Sequence, residues 1–462
     1  MLQTEIMLQT IAYFFLLQAS AAFAYTSLCS VRSCETNGHM FINATFKGDF
    51  STMWKSEAFL TLSCVSAGRD RAACAVIDYL NSTSANERPG IVVFDRDGNI
   101  EWITNRTHPP IPVYYRDAND SSEGIFAVDV AALSIFTFTA EGTLRNHPIN
   151  IKDVPLDIGY TIISDNVLVA TIDRGIVAIN SEGIMLASKK LDDVYFPYGT
   201  PVVGDNDVIY VKAEKEESNP SPDDQHPTTQ RLYAFRLHDD AIDVLWYHAF
   251  TAVADDRFET HLVYEKGVVY FRSVTSLRNQ SVHAVRDDGD RGTLLWSKSF
   301  SDTIRSLGFY PREKDPLAGL VVSLIGGPPI PASGQIYVLN PGTGAVRLHI
   351  DLGVVFGLVS TSGHAWITSP VLIAPPMNES FATPTFLFGV EVMRPTTAGI
   401  DIVDTVVLLG MDKNDRPILT TFTPNSGERV NPQVAPFAPD ETGQPTQMIF
   451  SSTSMFYSIK IR

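Results

Sequence analysis

The chain has 462 residues, a formal net charge of −17 at pH 7 and 44% apolar residues. This charge and the lack of any run of Lys and Arg exclude a nucleic-acid partner, because binding to phosphate backbones depends on clustered cations. The length exceeds the roughly 250 to 300 residues that one hydrophobic core usually serves. The chain therefore forms either two domains or one closed array of repeats.

The first 24 residues have the layout of a secretory signal peptide. An apolar run from Ile11 to Leu17 precedes small residues and the sequence Ala22-Phe23-Ala24, which is typical of a cleavage site. The run is shorter than the roughly 20 residues that a membrane span needs. We predict a signal peptide at residues 1–24, a mature propeller domain at 25–462, and a location outside the cell or in the lumen of the secretory pathway.

Four cysteines and six glycosylation sequons agree with export. An even number of cysteines in an oxidising compartment predicts two disulfides. Three pairings are open, and the short loops favour Cys29 with Cys34 and Cys64 with Cys74. Sequons must lie on solvent-facing loops to be modified; their asparagines are Asn43, Asn81, Asn105, Asn119, Asn279 and Asn378. A disulfide-bonded glycoprotein is expected.

One sequence pattern recurs seven times along the chain. An apolar alternating strand leads into a turn of Asp, Asn, Glu or Gly and then into a second short strand that often ends in Trp. This pattern is typical of a β-hairpin. The copies start at Gly90, Ile135, Ile176, Leu232, Val282, Ile336 and Val406. Their intervals accommodate a propeller blade of roughly 40 to 50 residues with loop insertions.

Two more strand candidates precede several of these hairpins, for instance Leu156–Ile163 and Val167–Ile172 before the third copy. Helical periodicity is nearly absent. Because free sheet edges promote aggregation, we expect Gln447–Ile461 to pair with strands of the region Met40–Leu62. The sequence thus predicts an all-β fold, a single propeller of about seven four-stranded blades closed by its N- and C-terminal strands.

The hairpins LYAFRLHDDAIDVLW and IYVLNPGTGAVRL resemble the repeats of quinoprotein-type propellers, which run apolar strand, Asp/Gly turn, strand with Trp. This resemblance implies the fold more than an activity. Quinone-binding members use an adjacent pair of cysteines, which this chain lacks. A quinoprotein-like dehydrogenase is therefore kept as an alternative only.

In its size, its export and its cysteine-bearing N-terminus without a cofactor motif, the chain is also similar to the secreted fungal hetero-Diels–Alderases of tropolonic sesquiterpene biosynthesis. This resemblance implies an enzyme without cofactor or metal. Such an enzyme forms a quinone methide from a hydroxymethyl tropolone and directs its cycloaddition to a humulene-type terpene, so its substrates are small and largely apolar. One alternative from another class is a secreted binding module, a lectin or a protein-interaction propeller. Another is a sulfotransferase or hydrolase of the wider propeller superfamily, which would require a reactive His or a metal. A lectin should repeat its binding residues in every blade, and these repeats do not.

Candidate site residues are the polar and aromatic side chains expected on innermost strands, where a propeller usually binds its ligand. Glu or His can move a proton and Arg can stabilise an oxyanion, so Glu259, His261 and Arg305 are the catalytic candidates. The substrate-binding candidates are Tyr160, Tyr198, Tyr310, His364, Trp366 and Arg394. Each of them also has an ordinary packing explanation. Trp102, Trp246 and Trp296 end hairpins at the repeated position and are predicted to pack between blades.

Overall fold

The computed structural model describes residues 39–41, 50–56, 59–67, 70–78, 88–104, 110–116, 122–129, 134–145, 149–150, 156–163, 166–192, 195–215, 228–238, 240–252, 262–276, 279–326, 333–358, 363–376, 381–397, 399–423, 430–436, 447–452 and 456–461. The predicted signal peptide lies outside these ranges. So do Cys29, Cys34, Glu259 and His261, together with the sequons at Asn43, Asn81, Asn105, Asn119 and Asn378.

The described chain consists of β-sheets, and its first strand, β1 (Phe50–Ser56), belongs to the last of them. Blades 1 to 3 then follow in chain order. Blade 1 contains β2 (Phe59–Ser66), β3 (Arg71–Asp78), β4 (Arg88–Asp95) and β5 (Ile100–Ile103). Blade 2 contains β6 (Ile111–Arg116), β7 (Glu123–Asp129), β8 (Ser134–Thr139) and β9 (Ile149–Asn150). Blade 3 contains β10 (Leu156–Ile163), β11 (Val167–Ile172), β12 (Gly175–Ile179) and β13 (Met185–Lys190).

Blades 4 to 6 repeat this order. Blade 4 contains β14 (Tyr195–Val203), β15 (Val208–Lys215), β16 (Thr228–His238) and β17 (Ala241–Ala252). Blade 5 contains β18 (Leu262–Glu265), β19 (Val268–Ser276), β20 (Asn279–Asp287) and β21 (Gly292–Phe300). Blade 6 contains β22 (Ile304–Tyr310), β23 (Gly319–Leu324), β24 (Gln335–Leu339) and β25 (Val346–Asp351), after which comes a short helix, α1 (Leu352–Val355). One turn of 3-10 helix, Asp205–Asp207, joins β14 to β15.

Blade 7 has an interrupted innermost strand. Both β26 (His364–Ile367) and β27 (Leu372–Ala374) pair with β28 (Thr385–Thr396), which continues into β29 (Gly399–Met411) and β30 (Pro417–Phe422). In every one of these seven blades the strands pair antiparallel in chain order, and the predicted hairpin forms the two outer strands. The seven hairpins are therefore confirmed.

The closing blade is built from both ends of the described chain. It contains β31 (Val430–Pro436), β32 (Gln447–Ser452) and β33 (Phe456–Ile461), and its outermost strand is β1. Phe50 pairs with Ile461 and Ser56 with Phe456. Because β31 contacts both β2 and β28, this sheet lies between blades 7 and 1. It confirms the predicted closure and the all-β propeller; the seven hairpin blades and the closing blade together make eight sheets.

The hydrophobic core is a ring of interfaces between neighbouring blades. Strands buried on both faces, such as β11 and β12, are apolar throughout or nearly so. Separate clusters of buried side chains join each consecutive pair of blades from 1 to 7, and Ile449 of β32 joins the closing blade to blade 1. Since each blade packs only against its neighbours, the chain exceeds the usual size of one core without splitting into two domains.

Three tryptophans of outermost strands join blade 1 to blade 2, blade 4 to blade 5 and blade 5 to blade 6. Each indole Nε1–H donates a hydrogen bond to the hairpin turn of the following blade. The acceptors are Ala140 O for Trp102 (2.9 Å), Asp287 Oδ1 for Trp246 (2.8 Å) and Pro341 O for Trp296 (2.8 Å). The predicted packing role of these tryptophans is confirmed.

The described cysteines form the preferred pair. Cys64 and Cys74 lie directly opposite each other on β2 and β3 and are joined by a disulfide. The sequon at Asn279 begins β20 with an exposed side chain, so it lies at the start of a strand.

Candidate functional site

The blades leave a central channel with two different ends. The turns between first and second strands and the third–fourth strand hairpins lie at one end, here called the hairpin end. At the opposite end the chain passes from second to third strands and from blade to blade. The strand order alone requires this separation, because all four strands of a blade are antiparallel.

Four neighbouring blades carry a buried polar residue at the same place, the fifth residue of the second strand. These residues are Thr171, Lys212, Arg272 and Ser323, none of them more than 5% exposed. In the sequence each follows four residues that are apolar or glycine, as in VIYVK and VVYFR. This interruption of an apolar strand was a usable signal for buried polar residues that the sequence analysis did not use.

The two cations of this group tie consecutive blades together. Lys212 Nζ donates to the main-chain oxygen of Arg272 (2.8 Å) and lies 4.8 Å from the centre of the Tyr198 ring. Arg272 in turn donates to Ile304 O on β22 (2.7 Å). Buried charges are tolerated when such hydrogen bonds satisfy them, so these residues hold blades 4, 5 and 6 in register.

The structure brings three of the candidate residues to one end of the channel. Arg305, the second residue of β22, donates through Nη2 to Thr368 O just after β26 (2.8 Å). His364 and Trp366 are half-buried on β26. The Trp366 Nε1–H is buried and has no hydrogen-bond partner among the described residues, which leaves a free donor at this end.

The other candidates lie elsewhere. Tyr310 ends β22, five residues or about 17 Å further along the strand than Arg305, and its hydroxyl donates to Asp315 at the hairpin end (3.0 Å). Burial, together with the charge of Asp315, raises the pKa of Tyr310. Tyr160 packs in the core between blades 2 and 3, and the Tyr198 hydroxyl donates to Gln230.

Arg394 is not on an innermost strand. It lies on the second strand β28, opposite Asp401, and is exposed. Blade 7 has an unusually long second strand, so counting back from its hairpin misplaces this residue. The expected inner-strand position of Arg394 is therefore corrected.

Residues 39–41 lie along the inner strands at the hairpin end. His39 O accepts from Phe309 N (2.7 Å) and Met40 O accepts from Ile373 N (2.9 Å), so this segment pairs with free inner edges of blades 6 and 7. His39 is 2% exposed, and its Nε2 lies 2.7 Å from Tyr264 O and 3.0 Å from Glu265 Oε2. Both neighbours are acceptors, so Nε2 carries a hydrogen.

A cleft of about 640 Å³ opens beside this segment, between blades 5 and 6. It is bordered by the β18–β19 turn, the β22–β23 turn and the β24–β25 hairpin. Its apolar lining consists of Val268, Tyr270, Leu295, Phe309, Pro311, Pro316, Ala318 and Pro341. Its volume lies within the roughly 300 to 1,000 Å³ of small-molecule sites, and such sites are lined in this way.

Aromatic rings form the inner wall of the cleft. The ring of Phe309 is 6.0 Å from Tyr270 and 5.3 Å from His39, centre to centre. The Tyr270 hydroxyl donates to Pro341 O (3.3 Å). Burial raises the pKa of Tyr270, and the charge of Glu265 adds to the effect, so this hydroxyl stays protonated and remains a donor. Glu265, held by His39, is the carboxylate next to this wall.

The cleft was missed by the sequence analysis because its walls come from three separate turns. One partial signal was present: the segment Pro311–Pro316 carries four charged residues between two prolines, which is typical of a long exposed turn.

Within the described ranges, no three His, Cys, Asp or Glu residues are grouped closely enough to hold a metal ion. No helix of the described chain is long and apolar enough to cross a membrane.

The comparisons with known proteins concern the fold. No protein-family model and no curated protein matches the chain. Among solved structures, the chain is similar to BamB from Moraxella catarrhalis. The match covers 89% of this chain and 100% of the BamB chain, with 9% sequence identity and a TM-score of 0.48. The match to the C-terminal WD40 domain of Sif2 covers 90% of this chain and 99% of that domain, with 9% sequence identity and a TM-score of 0.47. The match to the quinohemoprotein alcohol dehydrogenase ADHIIG from Pseudomonas putida HK5 covers 96% of this chain and 81% of the ADHIIG chain, with 10% sequence identity and a TM-score of 0.42. The propeller itself is established by the strand order, since eight antiparallel sheets follow one another along the described chain.

Proposed function

We propose that this propeller is a secreted, glycosylated, cofactor-free enzyme of the hetero-Diels–Alderase type, which acts on small, largely apolar molecules. It would form a quinone methide from a hydroxymethyl tropolone and direct its cycloaddition to a humulene-type terpene. The activity is taken from the resemblance of the sequence to that class.

The observation that carries the proposal is the cleft between blades 5 and 6. It is large enough for a small ligand, mostly apolar, and lined by Tyr270 and Phe309 beside the carboxylate of Glu265. Holding two reactants together in such a site can supply several kcal/mol toward a two-component reaction.

The dehydration step needs a proton carrier. The tropolone hydroxyl loses its proton, the hydroxymethyl oxygen gains one and leaves as water, and a neutral quinone methide remains. Two sets of residues offer this transfer. One is the predicted pair Glu259 and His261, with Arg305 to stabilise the oxyanion of the tropolonate. The other is Glu265 with His39 at the cleft, where the contact of 3.0 Å links a carboxylate to an imidazole N–H.

The test is to incubate the purified mature protein, without added cofactor, with a hydroxymethyl tropolone and a humulene-type alkene, and to follow products by chiral chromatography. Faster formation and stereochemical enrichment of the adduct, relative to a no-protein reaction, would support the proposal. A product profile equal to that reaction would overturn it, and a binding module would then be the leading function.

Two variants locate the chemistry if adduct forms. Arg305→Met changes the end of the channel near Trp366, whereas Glu265→Gln changes the cleft and keeps the size of the side chain. We expect Glu265→Gln to lower the rate by about 10²-fold or more, as loss of a proton-transfer group does, and Arg305→Met to have the smaller effect. The reverse order would assign the reaction to the Arg305 end.

Secretion is tested in the same expression experiment. We expect the full-length chain to appear in the medium of a eukaryotic host with a mass that falls on removal of N-linked glycans. The variant Asn279→Gln should lose one glycan, because Asn279 is exposed at the start of β20. Retention of an unmodified chain inside the cell would contradict this part of the proposal.

A further inference from the structure

We propose that the cleft between blades 5 and 6 selects ligands that carry one anionic group on a largely apolar body. This inference rests on the function proposed above, because both assign the ligand to the same cleft. It concerns the chemistry of the ligand, however, and it is tested by binding measurements alone.

The acidic residues of the cleft are already engaged. The pairs are Glu265 with His39 Nε2 (3.0 Å), Glu313 with Lys266, and Asp315 with the Tyr310 hydroxyl (3.0 Å). Asp315 also accepts from Leu317 N (2.9 Å). Each of these hydrogen bonds or ion pairs uses part of the acceptor capacity of a carboxylate, so less of that capacity is left for a ligand cation.

The cations of the cleft are not engaged to the same extent. Lys314 is exposed and makes no ion pair among the described residues, and it lines the cleft. Arg347 donates to Ala318 O and has further N–H groups, because a guanidinium carries five donors. Glu265, Glu313 and Asp315 carry as many formal charges as Lys266, Lys314 and Arg347. The charged groups with the most hydrogen-bonding capacity left for a ligand are, however, the two cations Lys314 and Arg347.

The apolar lining belongs to the same cleft as these cations. Leu295, 37% exposed, is an accessible part of it, and the buried rings of Phe309 (4% exposed) and Tyr270 (2% exposed) lie deeper. A ligand with a flat apolar body would cover this lining while its anionic group meets Lys314 and Arg347. A neutral ligand would gain only the first of these contacts, and a cation would meet only carboxylates that already have partners.

The test uses two fluorescent probes of similar shape. 8-Anilinonaphthalene-1-sulfonate carries one anionic group, and N-phenyl-1-naphthylamine is its neutral counterpart. We expect the mature protein to bind the sulfonate more tightly. Lys314→Met and Arg347→Gln should each weaken sulfonate binding about two- to fivefold, the range of one solvent-accessible ion pair, and should leave binding of the neutral probe unchanged. Leu295→Gln should weaken both probes.

The matched control is Lys190→Met, which removes an exposed cation from β13 of blade 3 and should change neither affinity. The proposal is overturned if both charge variants leave sulfonate binding unchanged, or if they weaken the two probes equally. Charge-dependent probe binding without any adduct in the cycloaddition assay would support this inference and refute the proposed enzyme activity, so the two failures are distinguishable.

Discussion

At the scale of single residues, two turn glycines share a left-handed backbone but have different surroundings. Gly344 has φ +68° and a Cβ there would lie 2.8 Å from the Trp296 ring, whereas Gly289 has φ +91° and no atom within 4 Å of such a Cβ. We expect Gly289→Ala to lower the free energy of unfolding by about 1–2 kcal/mol, the cost of the backbone conformation. Gly344→Ala should cost about 1–3 kcal/mol more through overpacking. Urea unfolding of the two variants checks this, and equal losses would contradict the tryptophan contact.

Asp412, in the hairpin turn of blade 7, is expected to make the stability of this hairpin depend on pH. Hydrogen bonds from the main-chain N–H groups of Arg416 (2.9 Å) and Asn414 (2.7 Å) lower the pKa of Asp412 from its ordinary 3.8. A lowered folded-state pKa gives stability that is present above the ordinary pKa and is lost as the pH falls through the lowered value. We therefore expect Asp412→Asn to lose less stability than the wild type between about pH 5 and about pH 3. Urea unfolding of both proteins at the two pH values measures this difference. Equal losses of unfolding free energy in the variant and the wild type would contradict the stabilising role of the Asp412 hydrogen bonds.

At the scale of elements, the buried cations make second strands into links between blades. Arg272 on β19 donates to Ile304 O on β22, and Arg272→Met leaves that carbonyl without this partner. We expect the free energy of unfolding to fall by about 1–3 kcal/mol, the cost of an unsatisfied buried group. Lys190→Met on exposed β13 should change it by less than about 0.5 kcal/mol. If the two variants lose equal stability in urea unfolding, the link has no energetic role.

Short-range sequence patterns predicted some elements of the fold and missed others. All seven hairpins were predictable, because alternation of apolar residues and turn residues such as those at Asp95–Asn99 act within a few positions. The interruption of the innermost strand of blade 7 between β26 and β27 was not predictable. It depends on pairing with β28, which lies some twenty residues later in the chain. Arg394 was misplaced because the second strand of this blade, β28, is 12 residues long.

At the scale of the whole molecule, closure rests on the pairing of β1 with β33. A chain that lacks residues 447–462 loses β32 and β33, and β1 and β31 are then left without their partners. We expect it to aggregate or to lose its cooperative unfolding transition, because both free edges become exposed. Size-exclusion chromatography and circular dichroism measure this, with a chain lacking only Arg462 as control. A monomeric truncated chain with wild-type unfolding would show that the closing blade is dispensable.

The sequence by itself determined the all-β class, the hairpins, the packing of the tryptophans and the closure by both chain ends, and it favoured the Cys64–Cys74 pair among three open pairings. These features depend on residue spacing, turn chemistry and the need to cover sheet edges. Only the tertiary structure decided which charges are satisfied and where a ligand fits. The cleft joins turns of blades 5 and 6, Glu265 meets His39 across more than two hundred residues, and Arg305 is separated from Tyr310 by the length of one strand. Such relations arise from the ring of blades and leave no periodic mark in the sequence.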